Sequence, residues 1–301
     1  MVNNVIDHSG GRQLSVKIER TLKDIELIVA DDGVGIFEKI RKECDLESPE
    51  QAIFELSKGK LTTDPARHSG EGIFFTSRIF DRFSILSGGL WFGHTREETD
   101  WLMNDFKERT HGTFVFMRIS LNSDHTTQEV FDSYSTTQDG MTFDKTVVAL
   151  DLAKSGPLVS RSQAKRVVSR LNRFKEAILD FDGVPEIGQA FADEIFRVYK
   201  SANPALTLRA IRANDAVVGM IRRAEVAEQR DDVRRSQLGS ILRTLLDRPA
   251  YQAMSDSERW SAFLAAIAKG EPSRVAEFDA VPVNLRADAL RVLLELAAEK
   301  D

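Results

Sequence analysis

The run Asp31-Asp32-Gly33-Val34-Gly35-Ile36 follows an apolar stretch, Ile25, Leu27, Ile28, Val29 and Ala30, that reads as a strand. An acidic residue at a strand end followed by two glycines suits the gripping of a purine. The carboxylate accepts a hydrogen bond from an exocyclic amine, which contributes roughly 1.5–3 kcal/mol. The glycines let the backbone lie against a flat ring. Taken alone, D-x-G-x-G equally describes a tight turn at a strand end.

Three more segments extend the pattern. Upstream lies Asn3-Asn4-Val5-Ile6-Asp7-His8-Ser9-Gly10; downstream lie His68-Ser69-Gly70-Glu71-Gly72-Ile73-Phe74-Phe75 and His111-Gly112-Thr113-Phe114. Four boxes in this order resemble the histidine-kinase-like ATPase superfamily, which also holds gyrases, chaperones, mismatch-repair ATPases and anti-sigma kinases. The resemblance covers residues 1 to about 120.

The resemblance implies ATP and Mg²⁺ as cofactors and assigns roles by position. Asn4 faces the triphosphate from a helix, and its amide oxygen helps hold Mg²⁺, a hard cation that wants oxygen ligands and keeps several waters. A simple helix cap is the other reading of Asn4. Asp7 and His8 lie three and four residues on and share its face. One of them is expected near the phosphates or the lid, unless both face solvent. Asp31 accepts the adenine amine, Gly33 and Gly35 admit the base, and Asp32 is a turn residue. Gly70 and Gly72 let backbone N–H groups converge on phosphate, helped by the positive end of a helix starting near Ile73. Lys60, Thr62, Thr63, Arg67 and His68 fall on a lid, with Arg67 the candidate cation on the nucleotide. Thr113 offers a hydroxyl near the adenine.

One departure bears on catalysis. ATP-hydrolysing members of the superfamily carry a Glu four residues before the Asn, as general base. Here that position precedes Met1, so no catalytic residue is assigned. Either the gene starts further upstream, or the chain lacks its base. As given, it is expected to bind ATP more readily than to hydrolyse it. The alternative is an active ATPase or serine/threonine protein kinase whose base lies upstream of Met1.

The elements that must position these residues form an α/β (α+β) layout. A helix end over 1–9 stops at Gly10-Gly11. Strands are expected at 13–19, 24–30, 82–87, 89–94 and 113–120, and helices at 37–44, 49–58 and 73–80. Together they suit a Bergerat-type mixed sheet with helices on one face, over 1–121. Residues 122–142, rich in Ser, Thr, Asp and Gly, read as a linker. Thereafter strands near 146–152, 177–181 and 206–212 alternate with helices from Ser160, from 187 and from Asn214, a βαβαβα pattern. Residues 226–301 read as a helical extension that covers the second region or mediates dimerisation.

The second region, 143–225, resembles the STAS-like domain, a small module found beside such ATPases. The carrying segments are Ser160-Arg161-Ser162-Gln163-Ala164-Lys165-Arg166 and Leu179 through Glu194. In anti-sigma antagonists a STAS domain bears a phosphorylatable serine. By register that position falls here at Gln189 or Ala190, neither of which takes a phosphate. Asp193 and Glu194 read as exposed helix charges, and Asp180 and Asp182 as strand-end caps.

Composition narrows the classes. Of 301 residues, 42% are hydrophobic and 29% charged, with a net charge of −6. That balance does not favour a nucleic-acid partner. The basic group Arg161, Lys165, Arg166 and Arg170 reads as a solvated helix face. A single cysteine, Cys44, forms no intrachain disulfide and fits a reducing compartment such as the cytoplasm. No apolar run is long enough to span a membrane. The resulting expectation is a cytoplasmic signalling protein in which Mg-ATP gates contacts of the STAS-like region with a protein partner. A homodimer is a further expectation, and a degenerate module that uses the fold for contacts only is the competing one.

Overall fold

A computed structural model of the chain describes residues 1–62, 69–96, 100–103, 111–137, 142–153 and 156–227. Met1–Ala224 form one compact unit, and Glu225–Asp301 a second. The helical extension expected over 226–301 lies, apart from its first two residues, outside the described residues.

The first part opens with helix α1 (Val2–His8) and a hairpin of β1 (Leu14–Arg20) and β2 (Asp24–Asp31). Three helices follow: α2 (Ile36–Glu43), α3 (Pro49–Ser57) and α4 (Gly72–Ile79). Ser48 caps α3 by accepting from the Gln51 N–H, with Pro49 at the first helical position, where its missing N–H costs nothing. Strands β3 (Arg82–Ser87), β4 (Leu90–Thr95), β5 (Trp101–Met103) and β6 (Thr113–Ser120) complete a six-stranded sheet of order β1-β2-β6-β3-β4-β5.

The expectation of a mixed sheet is corrected: every neighbouring pair is antiparallel. The helical crossover from β2 does deliver β3 parallel to it, but β6 inserts between the two and runs opposite to both. Val29, Val115, Ile85 and Phe92 stand opposite one another across four strands, and all are buried. This row meets Phe37 and Ile40 of α2, Ile53 and Leu56 of α3, and Phe74 and Phe75 of α4 in a single apolar core. Burying each such side chain stabilises the fold by roughly 1.5–3 kcal/mol.

The segment read as a linker holds a helix, α5 (Thr127–Ser133). A reciprocal capping box opens it: Thr126 Oγ1 accepts from the Glu129 N–H (3.2 Å), and the Glu129 carboxylate accepts from the Thr126 N–H (2.7 Å). Phe131 and Tyr134 then pack on Phe75 and Phe74, ring centroids 4.3 and 4.8 Å apart. Asp144 ties the end of the segment by accepting from the Thr136 N–H (2.7 Å) and pairing with Lys175 (2.8 Å).

Beyond it, β7 (Lys145–Ala149), β8 (Glu176–Asp180) and β9 (Thr207–Ile211) form a parallel three-stranded sheet in sequence order. They are linked by α6 (Arg161–Val168) and by a helix that starts as α7 (Gln189–Asp193) and continues to Ala202 through a π-helical stretch. The Ser160/Gln163 capping box opens α6. Residues 215–227 are helical, capped by Asn214 Oδ1 on the Val217 N–H (3.0 Å).

Helix α6 ends at Val168. Arg170 takes a left-handed conformation (φ 64°), which turns its side chain back onto α3. Its Nε donates to Glu55 Oε2 (2.7 Å), and a second guanidinium nitrogen to the Glu55 carbonyl (2.6 Å). Lys58, which has no exposed surface, donates to Glu55 Oε1 (2.7 Å) and to the carbonyls of Arg166 (2.9 Å) and Ser169 (3.3 Å). The Lys58 carbonyl accepts from Thr146 Oγ1 of β7 (2.7 Å). Arg170 is therefore no solvated surface charge. Glu55, Lys58 and Arg170 form a buried charge network that joins the two sheets' layers.

Removing one partner of such a network leaves an uncompensated buried charge. Glu55→Leu is expected to lower unfolding stability by about 3–5 kcal/mol in urea denaturation. Burial pushes the Lys58 pKa down from 10.5 to about 8. Between those values the unfolded chain binds more protons at this site than the folded one, so stability should rise with pH across that window. Lys58→Met should flatten the rise, as read by unfolding at about pH 7.5, 9 and 10.5, points that bracket the window.

Candidate functional site

Asp31 and Thr113 are register partners at the ends of β2 and β6, and Ser87 is the partner of Thr113 on β3. This row of polar residues ends the apolar face of the sheet. A cavity of about 340 Å³ opens beside it, lined by Asn4 and His8 of α1, Asp31, Gly35, Gly70, Gly72 and Thr113. The volume falls in the range of small-molecule sites, roughly 300–1,000 Å³. Residues far apart in sequence thus face one space.

The Asp31 carboxylate is held by its own turn: Oδ1 accepts from the Gly33 N–H (2.8 Å). Among the described residues no hydrogen bond engages Oδ2. Thr113 Oγ1 accepts from the Ile36 N–H (3.1 Å), which leaves its proton to donate. Asp32 points the other way and accepts from the N–H groups of Arg12 (2.7 Å) and Gln13 (2.9 Å). Those bonds, Gln13 first, hold its carboxyl below the usual range, as expected of a turn residue.

The glycines divide into two roles. Gly35 has φ +83°, and a Cβ there would stand 2.7 Å from Ser87 Oγ. Gly33 does not line the cavity. A Cβ on it would lie 2.2 Å from the Ser9 carbonyl oxygen, so it serves the close approach of α1's end to the β2–α2 turn, where Ser9 O also accepts from the Val34 N–H (2.9 Å). Gly70 (φ +74°) abuts the Leu61 backbone, whereas Gly72, at the start of α4, has open space around it. The first-turn N–H groups of a helix lack intrahelical partners, so α4 offers donors at this mouth.

Asp7 is exposed and off the cavity, while His8 of the same pair lines it. Arg67 lies outside the described residues, as do Thr63 and His68. Lys60 is not a lid residue over this space. It donates to the Arg173 carbonyl (2.9 Å) and sits 4.7 Å from the Phe174 ring centre, bound to the second region, where burial lowers its pKa. Thr62 does line the cavity.

Lys39 is a lining residue that the motifs did not flag. Its ammonium pairs with Glu43 (3.0 Å), one helical turn on. The apolar wall comprises Val5, Ile36, Ile40, Leu56, Ile73 and Val115. The i, i+4 spacing of Ile36 and Ile40 was the available signal for α2's share of it. In the second region, Asp180 is buried and bound by Arg212 Nε (2.8 Å), in keeping with a strand-end cap. Glu194, read as exposed, is 8% exposed and 4.0 Å from Lys165.

Gly35→Ala should cost about 1–3 kcal/mol through left-handed strain and the clash with Ser87. Gly72→Ala should stay within about 0.5 kcal/mol of the parent. Thermal melting of the two variants checks the contrast, with several degrees expected for the first alone.

No curated protein matches the chain closely enough to count as a relative. Residues 163–217 match the family model described as a STAS-like domain of unknown function (DUF4325). That span runs from the capping glutamine of α6 through β8, α7 and β9 to the first turn of the helix beginning at 215. The chain therefore carries a STAS-like domain, which suggests a regulatory, signalling role.

Proposed function

We propose that the cavity binds a purine nucleotide, ATP with Mg²⁺, and that its occupancy is relayed to the STAS-like domain, so that the protein acts as a nucleotide-gated regulator. The observation that carries this reading is the convergence of Asn4, Asp31, Gly35, Gly70, Gly72 and Thr113 on one cavity. In this reading residues 1–121 form a histidine-kinase-like ATP-binding domain and 143–225 the STAS-like domain.

Asp31 Oδ2 accepts the adenine amine, and Thr113 donates its hydroxyl to a ring nitrogen. The apolar wall of Ile36, Ile40 and Val115 sandwiches the base. Gly70 and Gly72 let main-chain N–H groups reach the phosphates at the start of α4. Lys39 and His8 add donors around the same space. Among the described residues no cluster of three or more His, Cys, Asp or Glu stands ready for a metal ion. Mg²⁺ would arrive with the triphosphate, and Asn4 Oδ1 would hold it. Bound there, Mg²⁺ neutralises phosphate charge.

The relay is short. Leu56, Leu61 and Thr62 line the cavity, while Glu55, Lys58 and Lys60, interleaved with them, hold the loop after α6 and the Arg173 carbonyl. A shift of the segment towards phosphate therefore pulls directly on the edge of the STAS-like domain.

Calorimetric titration of the full chain with Mg-ATP tests the reading. Saturable binding should appear, and Asp31→Asn should weaken it by about 10- to 100-fold by removing the charged acceptor. No heat at millimolar ATP, or an affinity unchanged by Asp31→Asn, would refute it.

A further inference from the structure

Among the described residues β1 forms an open edge of the large sheet. Among the described residues strand β1 pairs with β2 alone, and all seven of its residues are exposed. The hairpin fixes which backbone groups are free. Thr21 N–H donates to the Asp24 carbonyl (2.9 Å), and antiparallel pairs alternate between hydrogen-bonded and non-bonded sites. Ser15, Lys17 and Glu19 therefore point their backbone groups at β2. Leu14, Val16, Ile18 and Arg20 point theirs outward.

The side chains follow the same parity. Val16 stands opposite buried Val29, and Ile18 opposite Leu27, so both extend the inner, apolar face of the sheet. Yet Val16 is 49% and Ile18 67% exposed, and Leu22 in the turn is fully exposed. An unprotected strand edge with an apolar face is a template for pairing with another strand. On the outer face, Lys17 and Glu19 lie side by side, 2.7 Å apart.

We infer that β1 pairs antiparallel with β1 of a second copy of this chain, about a two-fold axis at Ile18, to give one continuous twelve-stranded sheet across the dimer. The register follows from parity and charge. Outward-pointing residues must meet outward-pointing residues, which allows axes at Val16, Lys17 or Ile18. An axis at Lys17 sets Lys17 against itself. An axis at Val16 sets Lys17 against Ser15. Only the axis at Ile18 sets Lys17 against Glu19 of the other copy, twice, at non-bonded sites where side chains approach closest. It also joins Ile18 to Ile18, Val16 to the aliphatic stem of Arg20, and brings Leu14 towards Leu22. The self-complementary charges select a second copy as occupant over an unrelated strand.

Sedimentation equilibrium of the full chain tests this. The parent should be dimeric at micromolar concentration. Lys17→Glu and Glu19→Lys should each weaken dimerisation by on the order of tenfold or more, since each turns two attractive contacts into repulsive ones. An equimolar mixture of the two variants should restore the dimer as a heterodimer, because every cross-strand pair is then opposite in sign. Interactions within one chain produce no such rescue. Ile18→Pro removes an outward-facing N–H and leaves the β1–β2 ladder whole, and it should give a folded monomer. A monomeric parent, a dimer indifferent to all three substitutions, or a mixture no tighter than its components would overturn the proposal.

Discussion

Lys58 has no exposed surface, so its charge is balanced by Glu55 and by the carbonyls that end α6. That constraint organises the molecule. It anchors the C-terminal end of α3, and α3 also supplies Leu56 to the cavity wall. It requires α6 to stop at Val168 so that its last carbonyls can accept, and it requires the left-handed turn that aims Arg170 at Glu55. Buried ion pairs contribute little net stability against an apolar alternative of equal volume. Here all three charges are satisfied together in the observed placement of the parallel sheet against the helical layer.

The same short segment thus has two faces with different chemistry. Leu56, Leu61 and Thr62 look into the cavity, and Glu55, Lys58 and Lys60 grip the region that holds the STAS-like domain. The packing between them is close. Gly59 runs at φ +81°, and a Cβ there would stand 2.5 Å from the Phe143 ring. The proposed relay of occupancy from the pocket to the STAS-like domain needs no long path, because one turn of chain borders both.

The local features were legible in the sequence. The strand ending at Asp31 and the helix starts after Ser48 and Ser160 depend on neighbours a few residues away, and each falls where its pattern put it. The strands β3 and β6 fell where alternation put them. Features set by distant contacts were not legible. Arg170 looked like one more surface cation until Glu55, 115 residues earlier, was placed beside it. Lys60 looked like a lid residue because nothing in the chain near it names Arg173 or Phe174. Helix α5 was hidden among hydroxyl residues, although Thr126 and Glu129 carried a readable start signal. The antiparallel sheet arose from the insertion of β6, which local periodicity does not encode.

Hydrogen–deuterium exchange of the full chain, with and without Mg-ATP, tests the central claim most directly. The account predicts slower exchange at the amides of 31–36 and 69–75, where base and phosphates bind, together with a smaller change over 166–173 across the Lys58 junction. Protection confined to other segments, or no difference at saturating nucleotide, would contradict it.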